Sequence, residues 1–175
     1  MSATGVDADV YVVMGVAGSG KSLIGAALAT TLGLVFVEGD DYHSPGNVER
    51  MSAGIPLTDA DRRGWLDALA ARIRDGVRAD TAVVLACSAL KRSYRDRLRA
   101  ASGGARMQFV FLRGDRTLIA ERMAGRRGHY MPASLLDSQF DALEEPSPDE
   151  GAWTYDATAS PEEIVAAIAA RVRGH

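Results

Sequence analysis

The chain of 175 residues has one cysteine, only two lysines and no uninterrupted apolar run of bilayer length, and each scarcity excludes something. A single cysteine, Cys87 in the apolar run TAVVLACSAL, can build neither an internal disulfide nor a metal cluster, which fits a reducing compartment. A spanning helix needs about 18 or more consecutive apolar residues. The opening MSATGVDADV carries acids where a secretory signal would carry positive charge. A soluble cytoplasmic protein with no membrane partner is the expectation. The net charge is −3 with no polybasic tail, and the arginine clusters at 92–99 and 122–127 lack aromatic interleaving, so nucleic acid is not expected as a partner. Repeats, low-complexity tracts and linkers are missing too. The most loop-like stretch, EEPSPDEG at 144–151, is too short to divide domains, and residues 1–175 read as one domain.

What is present is an alternation. Short β-branched runs at 9–15, 34–40, 81–87, 107–113 and, more weakly, 152–157 are separated by spacers long enough for crossover helices. The first four runs are apolar nearly throughout, as strands covered by helices on both faces are. A three-layer α/β fold on a parallel sheet of at least five strands follows. Two helix starts are written out: Thr58 as N-cap with Asp61 three residues on, and Ser160, Pro161 and Glu163 as a capping box. Trp65 and Leu69 read as the buried face of the first of these helices.

Between the first strand and the next helical pattern stands Gly15-Val16-Ala17-Gly18-Ser19-Gly20-Lys21-Ser22, a match to G-x-x-x-x-G-K-[ST] in the strand-loop-helix context of a P-loop. Glycines leave backbone N–H groups free to converge on phosphate oxygens, and the N-terminus of the new helix adds positive dipole. Lys21 can reach the β- and γ-phosphates of ATP and Ser22 can ligate Mg²⁺. With 18 arginines in the chain, lysine is rare where either cation would serve, so Lys21 and Lys91 draw attention. Lys91 reads either as a ligand or as a solvated first-turn residue of the helix LKRSYRDRLRA. A GTPase is excluded, because neither lysine lies in an N-K-x-D guanine-reading motif.

The second strand runs into FVEGDDYHSPGNVERM. Two apart on an extended segment, Glu38 and Asp40 project to one side at the carboxyl edge of the sheet beside the P-loop, with Asp41 turned away. One carboxylate would hold Mg²⁺ through water and the other would accept a proton from an attacking hydroxyl; a plain polar loop is the alternative. Further on, Arg122, Arg126 and Arg127 gather around one helix end, with Arg122 and Arg126 as i, i+4 neighbours. An arginine-bearing flap of this kind can close over ATP and neutralise charge on a transferred phosphoryl group. Leu136, Phe140 and Leu143, at helical spacing, read as core.

With these pieces assembled, the chain from about 10 to 170 resembles the gluconate kinase family of small P-loop carbohydrate kinases, relatives of shikimate and nucleoside-monophosphate kinases. Beyond the P-loop the resemblance is carried by GDDYHSPGNVERMSAGIPLTDADRRGWL (39–66), CSALKRSYRDRLR (87–99), LRGD (112–115), ERMAGRRGHYMPASLLDSQFDALEEP (121–146) and SPEEIV (160–165). It implies transfer of the ATP γ-phosphoryl group to the 6-hydroxyl of D-gluconate with Mg²⁺, and a five-stranded parallel sheet of the nucleoside-monophosphate-kinase type with a mobile lid. A homodimer is commonly formed in the family. It also implies a division into a P-loop unit (9–40), a substrate-binding helical region (about 41–79) and the lid (about 122–134). Carried over by position, Gly15 to Leu23 bind ATP, Ser22 and Glu38 serve the metal, Lys21, Asp40, Arg122 and Arg126 are catalytic, and His43, Arg50, Arg62, Lys91 and His129 join Asp40 as candidates for the sugar acid. Arg50, about a turn and a half of helix beyond His43, suits the gluconate carboxylate, while His43 could equally be a loop-capping hydrogen bonder. The family often carries lysine at Arg50, Arg126 and Arg127, so the charge is kept. Gln139 and Glu144 match the family pattern after the lid and read as fixing its hinge. Two other readings stay open: a kinase for shikimate, a nucleoside monophosphate or another sugar, and a catalytically silent nucleotide-binding module.

Overall fold

The computed structural model describes residues 6–125 and 133–174. Five strands, β1 (Val10–Met14), β2 (Val35–Glu38), β3 (Val83–Ala86), β4 (Met107–Arg113) and β5 (Trp153–Asp156), form one sheet in the order β2-β3-β1-β4-β5, with every neighbouring pair parallel. All five lie inside the runs expected from the sequence. The helices among the described residues are α1 (Lys21–Leu32), α2 (Pro45–Ser52), α3 (Asp59–Arg78), α4 (Arg92–Ala101), α5 (Arg116–Ala124), α6 (Ala133–Ala142) and α7 (Pro161–Arg173).

The two-residue period of a strand sorts β1 into two cores. Val10, Val12 and Met14 pack with Leu66, Leu69 and Ile73 of α3 and Leu98 of α4, whereas Tyr11 and Val13 pack with Ile24 and Leu28 of α1 and Ile164 and Ile168 of α7. The sheet is therefore the middle of three layers. A third, smaller cluster joins Val16 of the P-loop to Leu90, Ile119 of α5 and Leu136 of α6, with Phe140 and Leu143 packed against it.

Both expected helix starts are present. The Thr58 hydroxyl accepts from the Asp61 N–H while Asp61 accepts from the Thr58 N–H, and Ser160 and Glu163 make the same reciprocal box. Each cap is worth roughly 1 kcal/mol. Cys87 is fully buried, and burial pushes its thiol up to about 12, so it packs as a small apolar side chain rather than reacting.

One buried ion pair stands out. Arg95 of α4 is 0% exposed and its Nε and Nη2 donate to the two oxygens of Glu150, 2.7 and 3.0 Å away. Its Nη1 donates to the carbonyls of Ala89 and Leu90, so the guanidinium ties the loop after β3 to the chain returning from α6. The Arg95 hydrogen bonds, overriding the effect of burial, hold the Glu150 carboxyl at about 2, below its ordinary 4.5. That contribution to stability is complete above about pH 4.5 and is lost as the pH falls toward 2. Glu150→Gln leaves Arg95 buried without a counter-charge and is expected to cost roughly 3–5 kcal/mol, read as a lower urea midpoint at pH 7. The variant's stability should also decline less than the wild type's on acidification.

Candidate active site

The loop from Gly15 to Lys21 leaves β1 and enters α1, with Gly18 at φ +80° and Gly20 at φ +100°, a region that L side chains rarely adopt. A Cβ on Gly18 would also lie 2.8 Å from Met123 Sδ, so a larger residue there would have to push the Met123 side chain of α5 aside. Ser19 is buried and its Oγ, which lacks a hydrogen-bond partner among the described residues, packs beneath the loop next to Gly15. The loop's exposed side is therefore lined by backbone, as an anion cradle requires. The Ala17 N–H donates to Gln139 Oε1 at 2.8 Å, and Lys21 Nζ bonds the Val16 carbonyl at 3.3 Å. Gln139 thus fastens α6 to the P-loop itself.

Ser22, Glu38 and Asp40 are brought together. The Ser22 hydroxyl donates to Glu38 Oε2, and the Asp40 N–H donates to Glu38 Oε1 at 3.3 Å. The extended path assumed for 38–40 is corrected: β2 stops at Glu38 and Gly39–Tyr42 form a 3-10 turn capped by the Glu38 side chain. Gly39 makes the turn possible, since a Cβ there would overlap the Ala86 carbonyl oxygen of β3. The alternation argument that separated Asp40 from Asp41 does not apply on such a turn. A hydroxyl and a carboxylate in contact beside a phosphate cradle are hard oxygen donors, the set that suits Mg²⁺ held partly by phosphate oxygens and water.

Around this turn stands a second group. The Trp65 Nε1–H donates to the Gly39 carbonyl at 2.8 Å, and its indole stacks on the His43 ring with centroids 4.4 Å apart. Asn47, buried on α2, reaches the Asp61 carbonyl at 2.8 Å and His43 Nδ1 at 3.4 Å. Burial lowers the His43 pKa, opposed by Asp40 and assisted by Arg62, so its ring is neutral at pH 7. Arg50 does not face this pocket as an unengaged cation: its Nη1 lies 2.8 Å from both oxygens of Asp61. Arg62 is different. Its Nη1 donates to the Tyr94 hydroxyl at 3.0 Å, and among the described residues no carboxylate comes within ion-pair distance of it. Lys91 is the N-cap residue of α4, half-buried, and its Nζ lies 3.0 Å from Asp59 Oδ1, so it is not a freely solvated first-turn side chain.

On the other side of the loop, Gly18, Gly20, Leu23, Arg122, Ala157 and Pro161 line a cleft of about 370 Å³. The Arg122 guanidinium donates to the Ala157 carbonyl, which holds it in the cleft wall. A larger hollow of about 660 Å³ beside β4 and β5 takes in only Val16 of the loop, and its Arg113 and Arg116 are paired with Glu145 and Asp137. Arg126, Arg127 and His129 lie outside the described residues, as does most of 122–134. Sequence reasoning passed over Asp59, Asn47 and Tyr94, and read Trp65 only as core. The signal for Trp65 was its indole N–H, a donor that a buried tryptophan must satisfy.

Fold and loop together define a P-loop phosphotransferase of the nucleoside-monophosphate-kinase type. A family model described as an AAA domain matches residues 10–146. A gluconokinase from Gluconobacter oxydans is 50% identical over 139 residues, covering 79% of this chain and 77% of the relative. The crystal structure of a gluconokinase from Sinorhizobium meliloti 1021 superposes with a TM-score of 0.83 at 46% identity over 94% of both chains. That of an unliganded sugar kinase from a Janibacter species gives a TM-score of 0.88 at 43% identity, over 95% of this chain and 94% of that one. The chain belongs to the gluconokinase family.

Trp65→Phe keeps the stack on His43 but removes the indole donor from the Gly39 carbonyl. It should cost roughly 1–3 kcal/mol in thermal unfolding and depress kcat through the displaced Asp40 turn. An unchanged kcat alongside the stability loss would reduce Trp65 to core packing.

Proposed function

We propose that the protein is an ATP-dependent gluconokinase that converts D-gluconate to 6-phospho-D-gluconate with release of ADP. The observation that carries this reading is the Ser22–Glu38–Asp40 contact, which joins a phosphate cradle directly to a pocket of hydroxyl-binding and cationic side chains. The loop amides and Lys21 bind the ATP phosphates, the cleft walled by Arg122 takes the nucleoside, and Ser22 and Glu38 hold Mg²⁺. When bound, that ion neutralises charge on the β- and γ-phosphate oxygens. The 6-hydroxyl oxygen attacks the γ-phosphorus, the bond to the β,γ-bridging oxygen breaks, and Asp40 orients the hydroxyl and accepts its proton. Positioning supplies most of the acceleration, because the two substrates meet in a fixed geometry.

At the far end of the sugar, Arg62 is the cation for the gluconate carboxylate, in place of Arg50, whose charge Asp61 already meets. His43, neutral and fixed by Trp65 and Asn47, offers a ring nitrogen to the polyol hydroxyls. Residues 41–79 then serve the acceptor, and 122–134, with Arg126 and His129, close over the site as a lid. A homodimer in the cytoplasm is the setting the family resemblance supports.

The test is ADP release with Mg-ATP against gluconate, shikimate, glucose, glycerate and AMP. Turnover selective for gluconate is expected, with Lys21→Ala below about a tenth of the wild-type rate and still folded, and Asp40→Asn losing kcat while binding ATP. Turnover of another acceptor, or ATP binding with no turnover on any, would overturn the reading.

A further inference from the structure

Packing in the core accounts for the ring of Tyr94 but not for its hydroxyl. It is 4% exposed, yet its hydroxyl is not in a wholly apolar setting: it accepts from Arg62 Nη1 at 3.0 Å and donates to Asp59 Oδ1, the oxygen that also receives Lys91 Nζ at 3.0 Å. Both cations approach the ring, with the Arg62 guanidinium carbon 5.4 Å and Lys91 Nζ 5.7 Å from its centroid. Burial and the Asp59 contact both raise the phenol's pKa, so it stays protonated and the direction of both bonds is fixed. A carboxylate and a guanidinium at the ends of one hydroxyl would pair directly if the hydroxyl were removed, because a bidentate ion pair is stronger than either bond it replaces. Asp61 shows the outcome at the neighbouring arginine: with nothing between them, Arg50 closes onto both of its oxygens.

We propose that Tyr94 is a positioning residue for the acceptor: its hydroxyl is a spacer that keeps Arg62 from closing onto Asp59, so that the guanidinium retains its charge for the carboxylate of a monoanionic sugar acid. Asp59 neutralises Lys91 on the other side, and the subsite presents one net positive charge to one carboxylate. The inference rests on the gluconokinase reading, since it concerns the far end of that acceptor.

The experiment is steady-state kinetics of Tyr94→Phe, Asp59→Asn and the double variant with gluconate and Mg-ATP. Phenylalanine preserves the ring and its volume, so the spacer alone is lost. Expected for Tyr94→Phe is a rise of about tenfold in KM for gluconate, the loss of one charge-assisted contact, with kcat and KM for ATP within about twofold. Asp59→Asn added to it should bring KM for gluconate back to within about threefold of wild type, because the freed guanidinium no longer has a carboxylate to close onto. An unchanged KM in Tyr94→Phe, a rise that Asp59→Asn does not reverse, or a parallel loss in kcat and ATP affinity would each overturn the spacer. If Tyr94→Phe does not fold, the exposed Asp59→Asn change decides alone: a fall in KM for gluconate supports the proposal and a rise overturns it. Wild-type turnover in the same series separates the two failures. Gluconate turned over normally with Tyr94 silent would end only the spacer, whereas a wild type inactive on gluconate would end the reading beneath it.

Discussion

The buried pairing of Arg95 with Glu150 is the constraint on which the working edge of the molecule hangs. A guanidinium without solvent must find a partner for its charge and for its N–H groups, and here both are found in chain segments far apart in sequence. Through the Ala89 and Leu90 carbonyls it fixes the loop after β3, including Ala89 at φ +45°. Through Glu150 it fixes the segment that returns from α6, where Glu144 in turn accepts from the Arg92 N–H and donates its own N–H to Leu90. Lys91 and Tyr94 begin the helix that carries Arg95, so the cationic end of the acceptor pocket is built on the same anchor.

From that anchor the site is assembled by close approaches of backbone. Gly39 lets the end of β2 press against β3, and the turn that follows brings the Asp40 N–H onto the Glu38 carboxylate that also receives the Ser22 hydroxyl. Gly18 lets the phosphate loop lie against Met123 of α5, and Gln139 takes the Ala17 N–H from the other side. The loop is thus gripped between the helices that flank residues 126–132. A shift of α6 would reach the loop through the Gln139 hydrogen bond to the Ala17 amide.

How much of this was legible depends on how local the determining physics is. Strand positions, both capping boxes and the P-loop are encoded within a few residues of each other, and the sequence pattern located them. The pairing of Arg50 could not be read because its partner Asp61 belongs to another helix, and an ion pair between helices leaves no trace in spacing. The geometry of 38–40 was misjudged because the space that Gly39 needs is set by Ala86, nearly fifty positions away. Arg95 was hidden among its neighbours, although its place on the face shared with Tyr94 and Leu98 is one where an apolar residue belongs. A charge on a buried helical face is a demand for a partner, and that demand can be read before the partner is known.

The scarcity of lysine acquires a physical sense in this frame. Arg92, Arg95 and Arg106 each engage a carboxylate through more than one nitrogen, joining elements that are distant in sequence. The planar fork of arginine suits such fixed junctions, and its charge cannot be lost to burial. Lys21 instead makes its contact with Val16 through a single nitrogen at the phosphate cradle, and Lys91 lies at one oxygen of Asp59 beside the acceptor pocket. A point charge on a flexible stem can follow a phosphoryl group from donor to acceptor in a way a clamped guanidinium cannot. Arg62 falls between these cases: it is an arginine, but one bound to a neutral hydroxyl rather than to a carboxylate, and that difference in partner leaves its charge available beside Arg50 and Lys91, whose charges Asp61 and Asp59 meet.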